Sequence, residues 1–192
     1  MSSSSRTFVA LPIPDLQRTR LGRLQGLIAP EIPGATWVEP RHFHATLVFL
    51  GDIPDTDLAR VCRAVGEVAK SSPPLSLNLQ SLGAFPDPAS PRVAWVGLRG
   101  PDEDGLHALR EAIAVAVTEA GYPPQDDRFT PHVTLGRIKA KKGTVADLTK
   151  QVAHFRMWSA GTFTVDTVVT LASTLTPEGP DYMSLARASL SG

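Results

Sequence analysis

The sequence predicts an α+β protein of bilobal form: two similar lobes of twisted antiparallel sheet with helices outside, related by a pseudo-twofold axis, with the active groove between them. Three observations carry that expectation. Short β-branched and aromatic runs alternate with helical patterns along the chain. The tetrapeptide His-x-Thr-Leu occurs twice, as His44-Ala45-Thr46-Leu47 and His132-Val133-Thr134-Leu135, once in each half. The order strand, helix, motif strand precedes both copies.

Taken in turn, residues 6–14 (RTFVALPIP) read as a short strand stopped by Pro12 and Pro14. Asp15 is placed to cap a helix reaching about Ile28, with Leu16, Leu21, Leu24, Leu27 and Ile28 at near-helical spacing. The first motif strand, HFHATLVFLGD, is expected to end at Gly51. Residues 54–70 form an amphipathic helix in which Leu58, Val61, Cys62, Val65 and Val68 share a face. LSLNLQSL (75–82) alternates apolar and polar residues as a half-buried strand does, and proline-rich GAFPDPASP (83–91) is a loop between the halves. The second half repeats the plan: a strand at 92–98, a helix at 102–121 with Gly121 just past its end, the motif strand at 129–138, a weaker helix at 144–154, and strands at 161–174 and 182–190. No long flexible linker intervenes. Residues 1–192 are therefore expected to form one domain, with residues 1–5 a disordered tail, lobes near 6–85 and 92–190, and strand exchange between them left open.

Apolar residues make up 42% of the 192 and charged residues 20%, enough for a core without disulfides or a structural metal. Lys plus Arg and Asp plus Glu balance at 19 each, which disfavours a polyanion held along the whole surface and leaves room for a local basic patch. The single cysteine, Cys62, excludes an intramolecular disulfide and reads as a small core residue. The N-terminal apolar run is short and broken by prolines, unlike a signal peptide, and no segment approaches a membrane span. The expectation is a cytoplasmic, monomeric protein with no membrane partner.

On a strand, residues two apart share a face. His44, Thr46 and Val48 are expected on one face with Ala45, Leu47 and Phe49 on the other; His132 and Thr134 likewise face away from Val133 and Leu135. Each strand offers an imidazole and a hydroxyl side by side. Brought together across a groove, the two pairs suit phosphoryl chemistry without metal or cofactor. One neutral imidazole takes a proton from water and a protonated one supplies the leaving oxygen, while hydroxyls hold the phosphate oxygens. A lone His-x-Thr carries little information, but two copies at matching positions mark a paired site.

The two motifs resemble those of the 2H phosphoesterase superfamily, and more specifically its bacterial RNA 2',3'-cyclic phosphodiesterase (2'-5' RNA ligase) branch. FVALPIP, WVEPRHFHATLVFLGDI, LGAFPDPASPRVAWVGL, FTPHVTLGRI and LTPEGPDYMSLARASL follow that branch's pattern in order, from about residue 7 to residue 190. The resemblance implies RNA ends or nucleoside 2',3'-cyclic phosphates as partners, opened without metal to the 2'-phosphate, with reversible 2'-5' joining in some members. It implies His44 and His132 as the catalytic pair, His132 activating water and His44 protonating the departing 3' oxygen, with Thr46 and Thr134 on the phosphate. It also places a phosphate-binding arginine shortly after the second motif, where Arg137 stands. Strict alternation would turn Arg137 away from His132, so its use requires a twist or bulge, which Gly136 permits. The sequence departs from the family pattern at Ala45, smaller than the residue expected on that core face.

Other residues admit blander roles. His42 and His44 have a zinc-compatible spacing, and a zinc hydrolase on His42, His44 and His132 is one alternative; a nucleotide-binding module without turnover is another. No cysteine pair or acidic cluster accompanies His42, which reads as a groove-edge residue. His107 and His154 read as solvated or capping. Arg128, Arg137, Lys139, Lys141 and Lys142 form a basic run without an intervening acid, a footprint for an RNA backbone through Lys139, Lys141 and Lys142. Phe43, Phe85, Trp95 and Phe129 lie near motif strands, where a base could stack, although core packing is the ordinary fate of such rings. Because no carboxylate or cysteine ligand neighbours either motif, activity is expected to survive prolonged chelation. Loss of turnover on chelation, restored by zinc, would overturn the metal-free reading.

Overall fold

Pairing of the apolar, alternating segments joins nine strands into one antiparallel sheet in the computed structural model, which describes residues 3–126, 128–138, 146–176 and 179–192. In chain order the elements are β1 (Ser4–Pro12), α1 (Asp15–Ile28), β2 (Ala35–Trp37), β3 (His44–Pro54), α2 (Leu58–Lys70), β4 (Leu75–Phe85), β5 (Val93–Arg99), α3 (Glu103–Glu119), β6 (His132–Ile138), α4 (Thr149–His154), β7 (Ser159–Val165), β8 (Thr167–Thr176) and β9 (Gly179–Ser189). Short 3-10 turns at Ala29–Glu31 and Pro40–His42 flank β2. No helix among the described residues is long and apolar enough to cross a membrane.

The strand order is β7-β4-β5-β6-β3-β1-β8-β9, with β2 added beside β6. It reads symmetrically about the junction of the two motif strands: β3, β1, β8, β9 on one side and β6, β5, β4, β7 on the other. The two half-sheets are not the two halves of the sequence. β4, from the first half, pairs with β5 and β7, while β8 and β9, from the second, extend β1. The segment 161–174, expected as one strand, breaks at Asp166, and its two parts lie in opposite half-sheets. A single rigid strand could not serve both.

Helices cover one face of the sheet and bury a core that runs under both halves, from Leu11, Leu21 and Ile53 to Leu77, Leu98 and Leu135. Several local expectations change for physical reasons. Asp15 is the first helical residue rather than a cap; its carboxylate pairs with Arg18 instead of the backbone. The buried face of α1 is Gln17, Leu21, Leu24 and Ile28, leaving Leu16 and Leu27 exposed. Gly51 does not end β3: with a φ of 76° it bends the strand, which continues to Pro54. That extension gives Ser4 and Ser5 partners in Pro54 and Ile53, so the serines expected in the disordered tail are the start of β1. Gly121, at a φ of 91°, closes α3 as expected.

Both motif strands carry a bulge at the motif leucine. Ala10 pairs with Thr46 and Val9 with Val48, so Leu47 has no partner of its own; Trp95 pairs with Thr134 and Ala94 with Gly136, so neither has Leu135. The second bulge is pinned from outside the sheet. The Leu135 carbonyl accepts hydrogen bonds from the Val38 amide at 2.8 Å and the Gln25 side chain at 2.9 Å, and Gln25 also donates to the Val38 carbonyl at 2.7 Å. Gln25→Leu removes the donor and leaves the Val38 carbonyl without that bond, so a loss of about 1–3 kcal/mol of stability is expected, read as a lower urea midpoint. An unchanged midpoint would show that the bulge holds without Gln25.

Candidate active site

The two half-sheets touch through one pairing between motif strands, Ala45 with Val133. Both are buried, at 2% and 0% exposure, so the neighbouring residues on each strand must face the open side of the sheet. The pairing sets His44 beside Thr134 and Thr46 beside His132, with the four side chains meeting over the junction. Among the described residues neither threonine hydroxyl has a protein hydrogen-bond partner, so both remain available to a ligand.

The two imidazoles are held in the same way. His44 Nδ1 lies 2.7 Å from the His42 carbonyl, and His132 Nδ1 lies 2.6 Å from the Thr130 carbonyl. A carbonyl only accepts, so Nδ1 carries the proton in each ring. In the neutral form Nε2 then presents its lone pair as the acceptor. Burial holds both imidazoles below histidine's ordinary value, against the opposing pull of those carbonyls. The positive charge of Arg137 depresses both further, and for His44 the rings of His42 and His132 add to the effect.

That Arg137 acts on both histidines follows from the bulge. Val133, Leu135 and Ile138 face the core while His132, Thr134 and Arg137 do not. The extra residue resets the alternation, moving Arg137 to the histidine side. The same displacement corrects the first motif. Val48 is buried at 2% and Phe49 is 45% exposed, so Phe49, not Val48, joins His44 and Thr46. Each expectation had assumed an unbroken strand.

Aromatic rings wall both histidines. Phe8 and Tyr182 lie 5.1 and 5.2 Å from the His44 ring, and Phe85 and Trp95 lie 5.1 and 5.9 Å from that of His132. Phe8, Ala10 and Val169 form a small buried cluster on this face, flanked by Leu171 and Tyr182. Burial raises the Tyr182 phenol above its ordinary value, which keeps it protonated near neutrality. Phe43, in contrast, is core, and Phe129 packs on His107. His42 occupies the groove edge, its ring 5.2 Å from Tyr182 and its Nε2 4.0 Å from Asp181. His154 ends α4 against Phe155. Lys139, Lys141 and Lys142 lie outside the described residues. Among the described residues no three of His, Cys, Asp and Glu converge as a metal-binding group, so the zinc-ligand set His42, His44 and His132 is not assembled.

Sequence reasoning did not find Phe8, Phe49, Tyr182 or Gln25. Phe49 follows once the bulge is known, and Phe8 once β1 is paired to β3, where it stands opposite Phe49. Tyr182 and Gln25 reach the site through strand order and helix packing, which leave no local signal.

The chain is similar to known proteins over most of its length. The family model described as the 2'-5' RNA ligase superfamily matches residues 13–175. The RNA 2',3'-cyclic phosphodiesterase of Archaeoglobus fulgidus is 33% identical over 180 residues, which cover 94% of this chain and 97% of that one. The protein of the same name from Aquifex aeolicus is 32% identical over 157 residues, covering 81% and 82%. Among solved structures, a Thermus thermophilus protein superposes with a TM-score of 0.81 at 29% identity, covering 97% of this chain and 98% of that one. E. coli LigT shares the fold, with a TM-score of 0.78 at 22% identity over the whole of both chains.

The depressed imidazoles make stability depend on pH. Above histidine's ordinary value of 6.5 both states are neutral and the fold keeps its full stability. As pH falls below that value, the unfolded chain takes up protons that the folded site resists, and stability is lost until the folded pKa values are passed. Thermal melts should therefore drop as pH falls below the ordinary histidine value, less steeply in His44→Asn/His132→Asn. Inorganic phosphate, which favours the protonated rings, should offset the drop. A pH slope identical in wild type and double variant would show that these groups do not carry it.

Proposed function

The chain belongs to the 2'-5' RNA ligase superfamily, and from that membership we propose that it is an RNA 2',3'-cyclic phosphodiesterase whose two motif histidines exchange protons across the strand junction. The observation that carries this reading is the matched pair of imidazoles, each with Nδ1 bound to the carbonyl two residues earlier and Nε2 without a protein hydrogen bond among the described residues. The relatives from Archaeoglobus fulgidus and Aquifex aeolicus, named RNA 2',3'-cyclic phosphodiesterases, support the substrate class.

In this mechanism the cyclic phosphate sits over the Ala45–Val133 junction, its non-bridging oxygens receiving hydrogen bonds from Thr46 and Thr134 and charge from Arg137. His132 Nε2 takes a proton from water as the water oxygen bonds to phosphorus. The bond from phosphorus to the 3' oxygen breaks, and the proton on His44 Nε2 passes to that oxygen. The products are a 2'-phosphate and a 3'-hydroxyl, with His132 protonated and His44 neutral; exchange with solvent resets the pair. Both rings are neutral in the free site, so the negative phosphate supplies the attraction that returns a proton to His44 when substrate binds. With a 5'-hydroxyl in place of water, the same groups acting in the same sense would join it to the 2',3'-cyclic end as a 2'-5' linkage and free the 3'-hydroxyl.

His44→Ala and His132→Ala should each lower kcat about 10²–10⁴-fold on a nucleoside 2',3'-cyclic phosphate, with little change in binding, and the double variant should be far from additive. A substrate with a better 3' leaving group needs less protonation, so it should rescue His44→Ala and not His132→Ala. Rescue of His132→Ala instead would reverse the two roles. Full turnover in either single variant would end the two-histidine mechanism, and binding of 2'-phosphate product without any wild-type turnover would leave a nucleotide-binding module.

A further inference from the structure

We propose that a trough beside α1, passing close to His44, binds the phosphodiester backbone of the RNA strand on the 5' side of the terminal nucleotide. The proposal rests on the cyclic-phosphodiesterase reading. A 2',3'-cyclic phosphate is a 3' terminus, so the remainder of an RNA substrate can leave the groove in only one chemical direction, and it must meet protein surface next to the histidines.

Two cavities lie along α1, with Pro12, the register partner of His44, in the lining of one and Arg41, three residues before His44, in that of the other. One of about 550 Å³ runs between α1 and the turn at Pro40–His42, lined by Arg18, Arg23 and Arg41. The second, about 330 Å³, reaches from Pro12 to Arg187 on β9. Both are lined by Asp15 and Arg18, so they adjoin at that pair, and the two are taken together as one trough. Its lining comes close to His44 at two points. Pro12 stands opposite His44 in the β1–β3 register. Arg41 precedes His44 by three residues, a reach of at most about 10 Å, and the intervening His42 carbonyl holds the His44 ring. From Asp15 to Arg23 the helix rises about 12 Å, long enough for more than one phosphate.

The charges of this trough suit a backbone rather than a single small anion. Arg18, Arg23, Arg41 and Arg187 are spread along it, against Asp15 and Asp166 in the lining. Arg18 is paired with Asp15 and Arg41 with Glu39, both in pairs exposed to water, which are weak and exchange readily for phosphate. Among the described residues Arg23 and Arg187 have no ion pair or hydrogen bond, and both side chains are exposed. Arg20, on another side of the same helix, shows the contrast: it is fixed to the Ala160 carbonyl at 2.6 Å and holds α1 on β7. The chain as a whole has no net charge, so these arginines form a local track and not part of a general basic surface.

The test uses the full chain and two substrates: a nucleoside 2',3'-cyclic phosphate and a short single-stranded oligoribonucleotide with the same end. A fluorescent oligoribonucleotide ending in a 2'-phosphate reports binding independently of turnover. Arg23→Ala/Arg187→Ala should weaken the oligoribonucleotide about tenfold at low salt. The slope of log affinity against log salt should fall by about 1.4, two single-strand contacts at about 0.7 each. Mononucleotide kinetics should not change, and Arg23→Lys/Arg187→Lys should keep most of the salt slope. Unchanged oligoribonucleotide binding and slope would overturn the trough, as would an equal loss on the mononucleotide. If wild type turns over neither substrate yet the arginine-dependent slope persists, the hydrolase reading falls and the trough stands.

Discussion

The groove depends on one backbone pairing, Ala45 opposite Val133. Because both of these side chains are buried, the alternation of a strand leaves their neighbours no choice of face. A one-residue slip of either motif strand would send its histidine into the core and its apolar residues into water. The helices that cover the opposite face secure the register, since core burial of Val133, Leu135, Ala45 and Leu47 holds only in this alignment. The packing that stabilises the fold is thus the same packing that aims the two imidazoles and two hydroxyls into the groove.

That burial also sets the chemistry. Removing the imidazoles from water lowers their pKa values, and Arg137 pushes in the same direction. A free site with two neutral rings has a ready base and no acid. In the proposed mechanism an anionic phosphate reverses the balance, drawing a proton onto the ring nearest the leaving oxygen while the other ring stays able to accept one. Since Nδ1 is committed to a carbonyl in both rings, proton traffic is confined to Nε2. The aromatic walls of Phe8 and Tyr182 on one side, and Phe85 and Trp95 on the other, keep water scarce around that traffic.

The two halves of the site are related but unequal. Each motif leucine is a bulge residue, and each bulge brings the residue five positions after the histidine onto the open face. In one strand that residue is Arg137, in the other Phe49. The duplicated backbone therefore offers a charge from the His132 strand, felt by both imidazoles, and an apolar ring from the His44 strand. An asymmetric substrate, with a phosphate on one part and a nucleoside on another, can lie across such a groove in one sense better than in the other.

How much of this was legible in the chain divides along a physical line. Helix and strand periodicity, the twin motif, the facing of His44 with Thr46 and of His132 with Thr134, and the stop at Gly121 are properties of a few adjacent residues, and the sequence by itself determined them. The resemblance of the motifs to a known family extended that reading to Arg137. The tertiary structure decided everything that rests on hydrogen bonds between distant segments. Leu135 bulges because Gln25 and Val38, far back in the chain, bind its carbonyl. Phe49 exchanges places with Val48 through the matching bulge against β1. Ser4 and Ser5 are ordered by Pro54 and Ile53, and β7 and β8 part at Asp166 to serve opposite half-sheets. Side-chain alternation is dictated by each residue's immediate neighbours, whereas a bulge or a strand order is settled by which remote backbone group satisfies which, and only the folded chain brings those groups together.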